Sequence, residues 1–446
     1  MNPEFQRNLY LEFSATRLIG MPLFLATVFG LSLMIDNNIS TGVEALFPAT
    51  ANCAIGLYVL IVVLWGARQA AENVFEELRH KTWDTQKRTA ISAWSLTWGK
   101  LFGSTVFNWY GGCFCWLVYV LTTPSPEKLP INSLILLAGG LLAQGLSMLS
   151  AVFALRNRQS ARNSFIYLLI LFTLIWTFPF LRGSSKIVQI DWYDFQWNAT
   201  AFAAWSLLLF AAWAIIGAYR LLAQELQIRT LPWVWLLFLG FLVVYVIGLS
   251  AGLNSEHAGI VQDLFHAGLL TLVFCAAFTY LQLFLDNNDP MLARRAWIFV
   301  QHNQWRRAAS EIPCWLINQA IALPIVLVLS GFSIFANVHS DLHGLFPTAY
   351  LLVLRDSALI LYFAYAPDPK RALGLSFLWL ILLYGILPWL FGQLHLDTLA
   401  AIVFPLFGEN WLVSFLIAAC QTGFAGYLLV NRWLDTVNRK LGDESA

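Results

Sequence analysis

Arg355 and Asp356 stand side by side inside the apolar run Leu351-Leu-Val-Leu-Arg-Asp-Ser-Ala-Leu-Ile-Leu361. An ion at the centre of a membrane helix costs at least ~2.5–3.5 kcal/mol on insertion scales, so such residues face a cavity, each other or another polar group. Neighbours on a helix point about 100° apart, so the two need not pair directly. They read as the polar lining or latch of a path through a membrane, with a structural salt bridge to another helix as the plainer alternative. A second candidate is His339, Asp341 and His343, where two imidazoles four residues apart flank a carboxylate. That spacing suits a metal on one helix face, but the segment is short, and incidental surface histidines are the simpler reading. The third candidate is the run from Glu72 to Lys100, which is densely charged and yet rich in Trp and Leu. A passive connector needs neither property; a docking surface for a cytosolic partner needs both.

The elements that must position these residues follow from composition. Of 446 residues, 59% are hydrophobic and 11% charged, against roughly 25% charged in a soluble domain. Most of the surface therefore faces something other than water. The 20 tryptophans suit a bilayer interface, because the indole is apolar with one polar end. A net charge of +1 and the lack of a basic tract argue against nucleic acid. The six cysteines lie in or beside apolar runs without a CxxC pair, as buried spectators do. Residues 1–18 carry Glu4 and Glu12 and no cleavage site, unlike a signal peptide. They predict a short amphipathic helix along the cytoplasmic interface, with Phe5, Leu9 and Phe13 opposite Arg7 and Glu12.

A helix needs about 20 apolar residues to cross a bilayer core. That rule places spans near 18–36, 51–67, 101–122, 131–155, 163–181 and 199–219, then near 232–252, 263–285, 313–336, 346–366, 373–391 and 410–431. The expected fold is an all-α polytopic bundle of about 12 spans, with both termini inside. Charge follows that topology: the cytoplasmic segments hold 22 of the 26 Lys and Arg, and the outer loops hold three basic residues against ten acidic ones. The halves 1–225 and 226–446 echo each other as parallel six-span repeats. Each has its largest cytoplasmic loop after its second span, at 68–100 and 286–312. Arg79 and Trp83 in one loop parallel Arg294 and Trp297 in the other. Each half also has a longer outer segment before its last span, 182–198 and 392–409.

The Glu-rich helix after the second span, the Glu77-x-Arg79-x-x-Thr82 core, Ser92-Ala-Trp-Ser95 and Gly99-Lys100 opening the third span together resemble a type-2 ABC transporter permease. The likeness in layout covers most of the chain; the motif likeness is confined to 72–100. Lys81-Thr82 stands where that family has Gly-Thr, and Ala93-Trp94-Ser95 where it has Pro-Val-Ser. The family more often has six spans per chain and pairs as dimers, whereas here two halves look fused and the second loop is shorter, with Pro290 and Pro313. The resemblance implies an export permease that forms the substrate path, with short outer-leaflet helices at 182–198, around Trp192, Tyr193, Phe195 and Trp197, and a counterpart at 396–408. It implies coupling helices that dock a separate cytosolic ATPase, two copies of which would carry the ATP and Mg. Glu76, Glu77, Arg79, Thr82, Trp83 and Asp84 would make the first contact, and Arg294, Arg295, Trp297, Trp305 and Arg306 the second.

The chain itself has no nucleotide site, because Gly99-Lys100 lacks the upstream Gly and following Ser or Thr of a phosphate-cradling loop. No cofactor is expected in it, and no catalytic constellation. Its partners would be that ATPase and membrane lipids, its place a bacterial inner membrane. Whether two chains pair stays open. The competing readings are an ion-coupled secondary transporter, for which Asp356 is the lone acid well inside a span, and a membrane-embedded transferase, for which the histidine group is the lone offer. An aromatic, nearly uncharged set of spans suits a lipid-like or amphipathic cargo.

Overall fold

The computed structural model describes residues 2–39, 47–79, 91–156, 189–193, 195–226, 228, 231–253, 260–285, 288–335, 344–366, 372–407 and 410–445. It is helical throughout except for one short hairpin. Internal contacts divide it into two units, Met1–Asp191 with Phe195–Thr230, and Trp192–Asp194 with Leu231–Ala446.

The first unit opens with α1 (Pro3–Glu12). Asn2 caps it by accepting from the Glu4 amide at 3.0 Å, and Pro3 suits the first helical position, where no amide is needed. Phe5, Leu9 and Phe13 are half-buried and Arg7 is exposed, while Glu4 and Asn8 are buried and Tyr10 and Leu11 are exposed. Glu4 and Asn8 are buried because a polar seat on the helix that begins at Ala93 receives them. Helix α2 (Ala15–Ile39) ends beside α3 (Pro48–Tyr58). Residue Phe47 offers α3 no side-chain cap, so Asp36 of α2 supplies one. Its carboxylate accepts from the Ala49 and Thr50 amides at 3.1 and 2.8 Å and from the Thr50 hydroxyl at 2.6 Å.

From α3 the chain passes through a π-helical stretch, Val59–Trp65, into α4 (Gly66–Arg79). The widened turn presents its carbonyls sideways, and two buried amides meet them. Asn108 Nδ2 donates to the Ile61 carbonyl and Gln144 Nε2 to the Val62 carbonyl, each at 3.0 Å. Trp109 Nε1 in turn donates to Gln144 Oε1 at 3.0 Å. Asn108 lies on α5 (Ala93–Thr122) and Gln144 on α6 (Leu129–Arg156), so the π turn ties three helices together. Gln144→Leu would leave both a carbonyl and an indole N–H short of a partner. A loss of about 1–3 kcal/mol is expected, read as a lower midpoint in thermal unfolding; an unchanged midpoint would count against this role. Helix α7 (Ala199–Glu225) packs along α6 and completes the unit. Its core runs from Leu25, Tyr58 and Val62 at one end to Val74, Met148 and Leu222 at the other.

Between α6 and α7 stands a correction. Short helices are expected at 182–198, but Gln189–Trp192 and Phe195–Asn198 pair as two strands, β1 and β2. Ile, Trp and Phe favour an extended backbone, and Asn198 then caps α7 through the Thr200 amide at 3.0 Å, leaving no length for a helix. Residues 182–188 lie outside the described residues.

In the second unit, α8 (Trp233–Leu253) receives the tip of that hairpin. Trp192 Nε1 donates to the Tyr245 carbonyl at 3.0 Å, and the Tyr193 hydroxyl to that of Val244 at 2.9 Å. Burial pushes the Tyr193 phenol up. A Cβ on Gly248 would lie 2.3 Å from Trp192 Nε1, so only glycine admits the indole there. Then follow α9 (Ile260–Leu285), α10 (Pro290–Gln301), α11 (Trp305–Glu311), α12 (Cys314–Phe335) and α13 (Leu345–Ala364). Asn318 of α12 accepts from Trp235 Nε1 of α8 at 2.8 Å and donates to Gln282 of α9 at 3.1 Å. The next helix is interrupted: α14 (Ala372–Ile381) passes through a π-helical turn, Leu382–Ile386, into α15 (Leu387–Gln393). Helices α16 (Asp397–Val403) and α17 (Trp411–Ser445) follow.

Nine helices among the described residues are long and apolar enough to cross a membrane. Of the other three expected spans, 101–122 lies within α5, whose Gly, Ser, Asn and Trp content keeps it below that hydropathy. The span at 232–252 is α8, a 21-residue apolar helix. The one at 163–181 lies outside the described residues.

Candidate functional site

Arg355 and Asp356 are buried on α13, at 3% and 0% exposure. The sequence does not require them to pair, but they do. Asp356 Oδ1 accepts from Arg355 Nε at 3.0 Å and from Nη2 at 2.9 Å. The long arginine side chain folds back over its neighbour, which a 100° offset between adjacent residues does not prevent.

Three other helices close the site. Tyr280 of α9 donates its hydroxyl to Asp356 Oδ2 at 2.6 Å. Tyr384, in the π turn between α14 and α15, donates to the same oxygen and accepts from Arg355 Nη2 at 3.0 Å. Its ring also lies 5.4 Å from the guanidinium carbon, in cation–π range. Gln421 of α17 accepts from Arg355 Nη1 at 2.6 Å, and its amide donates to the Ile402 carbonyl of α16. Both carboxylate oxygens thus accept two hydrogen bonds, close to the capacity of the group. The pair is neutral in sum and satisfied from four helices. Tyr384 is 37% exposed while the ions behind it are buried, so the phenol is the lid of the site. A π turn rotates the residues after it relative to an α-helix, and here it delivers that lid.

Tyr280, Tyr384 and Gln421 are not singled out by sequence reasoning. Each lies among other polar side chains in its apolar span, 263–285, 373–391 or 410–431; their convergence on one carboxylate is not written in any of them.

The candidate docking residues are distributed differently. Glu76 is exposed on α4. Glu77 and Arg79 belong to the same helix, but their side chains, like Thr82, Trp83 and Asp84 entirely, lie outside what the structure describes. Around them α4 is bound to its neighbours, with Gln69 Nε2 donating to Glu12 Oε1 of α1 at 3.0 Å. Trp94 and Trp98 belong to the first turns of α5 rather than to a loop. They form an edge-to-face pair with ring centroids 5.4 Å apart, and Trp98 stacks on Phe102 at 4.7 Å.

Gly99-Lys100 has a different task from phosphate binding. Lys100, 1% exposed, places its Nζ 3.7 Å from Glu4 Oε1, and Arg7 reaches the same oxygen at 2.8 Å. Asn2 donates to the Ser95 carbonyl and Asn8 to that of Gly99. A Cβ on Gly99 would meet Glu4 Cβ at 2.6 Å, and one on Gly103 would meet Asn8 Cβ at 2.9 Å. Gly99-x-x-x-Gly103 is therefore the groove into which α1 is seated, the use small residues four apart commonly serve between membrane helices.

The segment expected to make the second contact, 286–312, is a helical hairpin over the described residues. Asp289 caps α10 by accepting from the Met291 amide at 3.1 Å. Trp433 of α17 holds its root through a 2.8 Å hydrogen bond to the Pro290 carbonyl. Asn303 turns the chain with φ 56°, and Arg295 pairs with Glu311 across the hairpin at 3.4 Å. Trp297 and Trp305 stand out at 62% and 63% exposure, beside Arg294 and the exposed Arg306. His339, Asp341 and His343 lie outside the described residues.

Comparison with family models, curated proteins and solved structures gives no match. The length and composition of its helices mark an all-α, polytopic integral membrane protein, with a buried ion pair in its second unit closed by three further helices.

Proposed function

We propose that this chain is the transmembrane permease subunit of an ATP-driven exporter, with two six-span halves, about 12 spans in all, and both termini on the cytoplasmic face of a bacterial inner membrane. A separate cytosolic ATPase supplies ATP and Mg chemistry and drives the spans by pushing on the first cytoplasmic segment, 68–100. The observation that carries this reading is the build of that segment. It leaves the membrane as the charged helix α4 and re-enters as α5, whose first turns are bound to α1 through Lys100, Glu4 and Gly99. A push on the intervening residues would move α5 and α1 as one body. The segregation of Lys and Arg to the same side supports the topology.

The test is a mild-detergent pull-down of the full chain with its ATPase activity measured. Co-purification of a nucleotide-binding subunit, with at least a tenfold loss of bound ATPase in Glu77→Ala/Arg79→Ala, is the expected outcome. Absence of any associated ATPase with and without nucleotide would refute the proposal.

One observation favours a second reading, an ion-coupled transporter. An interrupted membrane helix brings Tyr384 to a buried carboxylate, as coupling sites in such transporters do. Against it stands the filled acceptor capacity of Asp356, which leaves little room for a coupling cation. Uptake or efflux that follows an imposed proton or sodium gradient, without ATP, would favour this second reading.

A further inference from the structure

We infer that the α10–α11 hairpin docks on the anionic headgroups of the inner leaflet rather than on the ATPase. The surface goes beyond the proposed function and rests on that reading for the side of the membrane on which the hairpin lies.

Charge comes first. Residues 290–311 hold four arginines, Arg294, Arg295, Arg306 and Arg307, against the single acid Glu311. The hairpin is thus a compact cation whose complement is an anionic surface. Each arginine close to an anionic leaflet contributes about a fivefold preference over a neutral one.

Aromatic placement comes second. Trp297, Ile298 and Trp305 are exposed among those arginines. On α10, Ala293, Trp297, Ile298 and Gln301 are exposed on one side of the helix with the half-buried Arg294 among them, and Arg295 is exposed beside that side. An arc that mixes indole, aliphatic and guanidinium groups matches the headgroup boundary of a bilayer, where tryptophan and arginine both gain.

Tethering comes third. Only four residues separate Leu285, the end of α9, from Pro290, and only two separate Glu311 from Cys314, the start of α12. Both α9 and α12 contain stretches able to cross a membrane. The Trp433 bond pins the hairpin root as well. A hairpin held this short at both ends has its exposed arc within reach of the lipid surface. The first cytoplasmic segment differs, with 13 residues, 80–92, between α4 and α5. Coupling to an ATPase would then be one-sided, through 68–100, with the second hairpin as a membrane-anchored strut.

The experiment uses the full chain in nanodiscs of phosphatidylcholine alone and of phosphatidylcholine with phosphatidylglycerol. Hydroxyl-radical footprinting is read at Trp297 and Trp305 by peptide mass spectrometry. Both should oxidise severalfold more slowly in the anionic discs, and that protection should vanish in Arg294→Gln/Arg295→Gln/Arg306→Gln/Arg307→Gln. Monodisperse elution and unchanged oxidation at Trp192 report that the variant is folded. Equal oxidation in the two lipids would overturn the inference. So would protection that appears only when a cytosolic ATPase is added, because the occupant would then be protein.

Discussion

Asp356→Asn and Arg355→Met are each expected to destabilise the folded chain by roughly 3–5 kcal/mol, whereas Arg355→Met/Asp356→Leu should recover a large part of that loss. Either single change leaves one charge buried without its counter-charge. At 3% and 0% exposure neither residue can turn out to water, and its own helix neighbour is its ionic partner. The double change removes both charges and leaves a polar rim of Tyr280, Tyr384 and Gln421 around an apolar centre. Tyr384→Phe belongs to the same series. It deletes one donor to the carboxylate and one acceptor from the guanidinium, for about 1–3 kcal/mol. The measurement is denaturant titration of the detergent-solubilised full chain, followed by far-UV circular dichroism. Single and double variants that all lose under about 1 kcal/mol would show that the pair is solvated in the folded protein. A double variant that retains stability but loses transport would separate a latch in the substrate path from a purely architectural bond.

Glu4→Leu should release α1 from the rest of the first unit. Glu4 is the carboxylate that Lys100 and Arg7 share, and it is 4% exposed. Its removal takes the carboxylate from a fully buried ammonium, a loss of about 3 kcal/mol. That corresponds to about a hundredfold in the opening equilibrium of the helix. Hydrogen–deuterium exchange over residues 3–12 reads it directly, as faster exchange there with α6 and α7 unchanged. Gly99→Leu should act in the same direction through bulk alone, because any side chain at 99 enters the space of Glu4 Cβ. If the exchange of 3–12 is unaltered by both, α1 is held by something other than this seat, and the linked movement of α1 and α5 in the proposed function loses its basis.

Several elements were legible before any coordinates. The apolar runs are long and uninterrupted, and a membrane helix satisfies its own backbone, so length and hydropathy suffice to place it. Arg355 and Asp356 were visible for the same reason, as charges in an otherwise uncharged stretch. Phe5, Leu9 and Phe13 form a regular stripe, and periodicity reports only which side of α1 is apolar. It cannot report that a glycine groove with a buried lysine lies waiting for the polar side. The strands at 189–198 were missed because the resemblance to a known layout outweighed local β-preference in Ile190, Trp192, Phe195 and Trp197.

By itself, the sequence determined that this chain is a polytopic helical membrane protein and where most of its helices run, because burial in lipid imposes a length and a composition on each segment independently. It also determined that an ionic site exists on α13. Only the tertiary structure decided what that site is. Tyr280, Arg355, Tyr384 and Gln421 are separated by as many as 141 positions, and hydrogen bonds shorter than about 3 Å depend on helix rotation. Here a single π turn at Leu382–Ile386 sets the rotation that carries Tyr384. Periodicity in the residues records an α-helix of average pitch, and the one extra residue per turn that re-aims a side chain leaves no pattern in it.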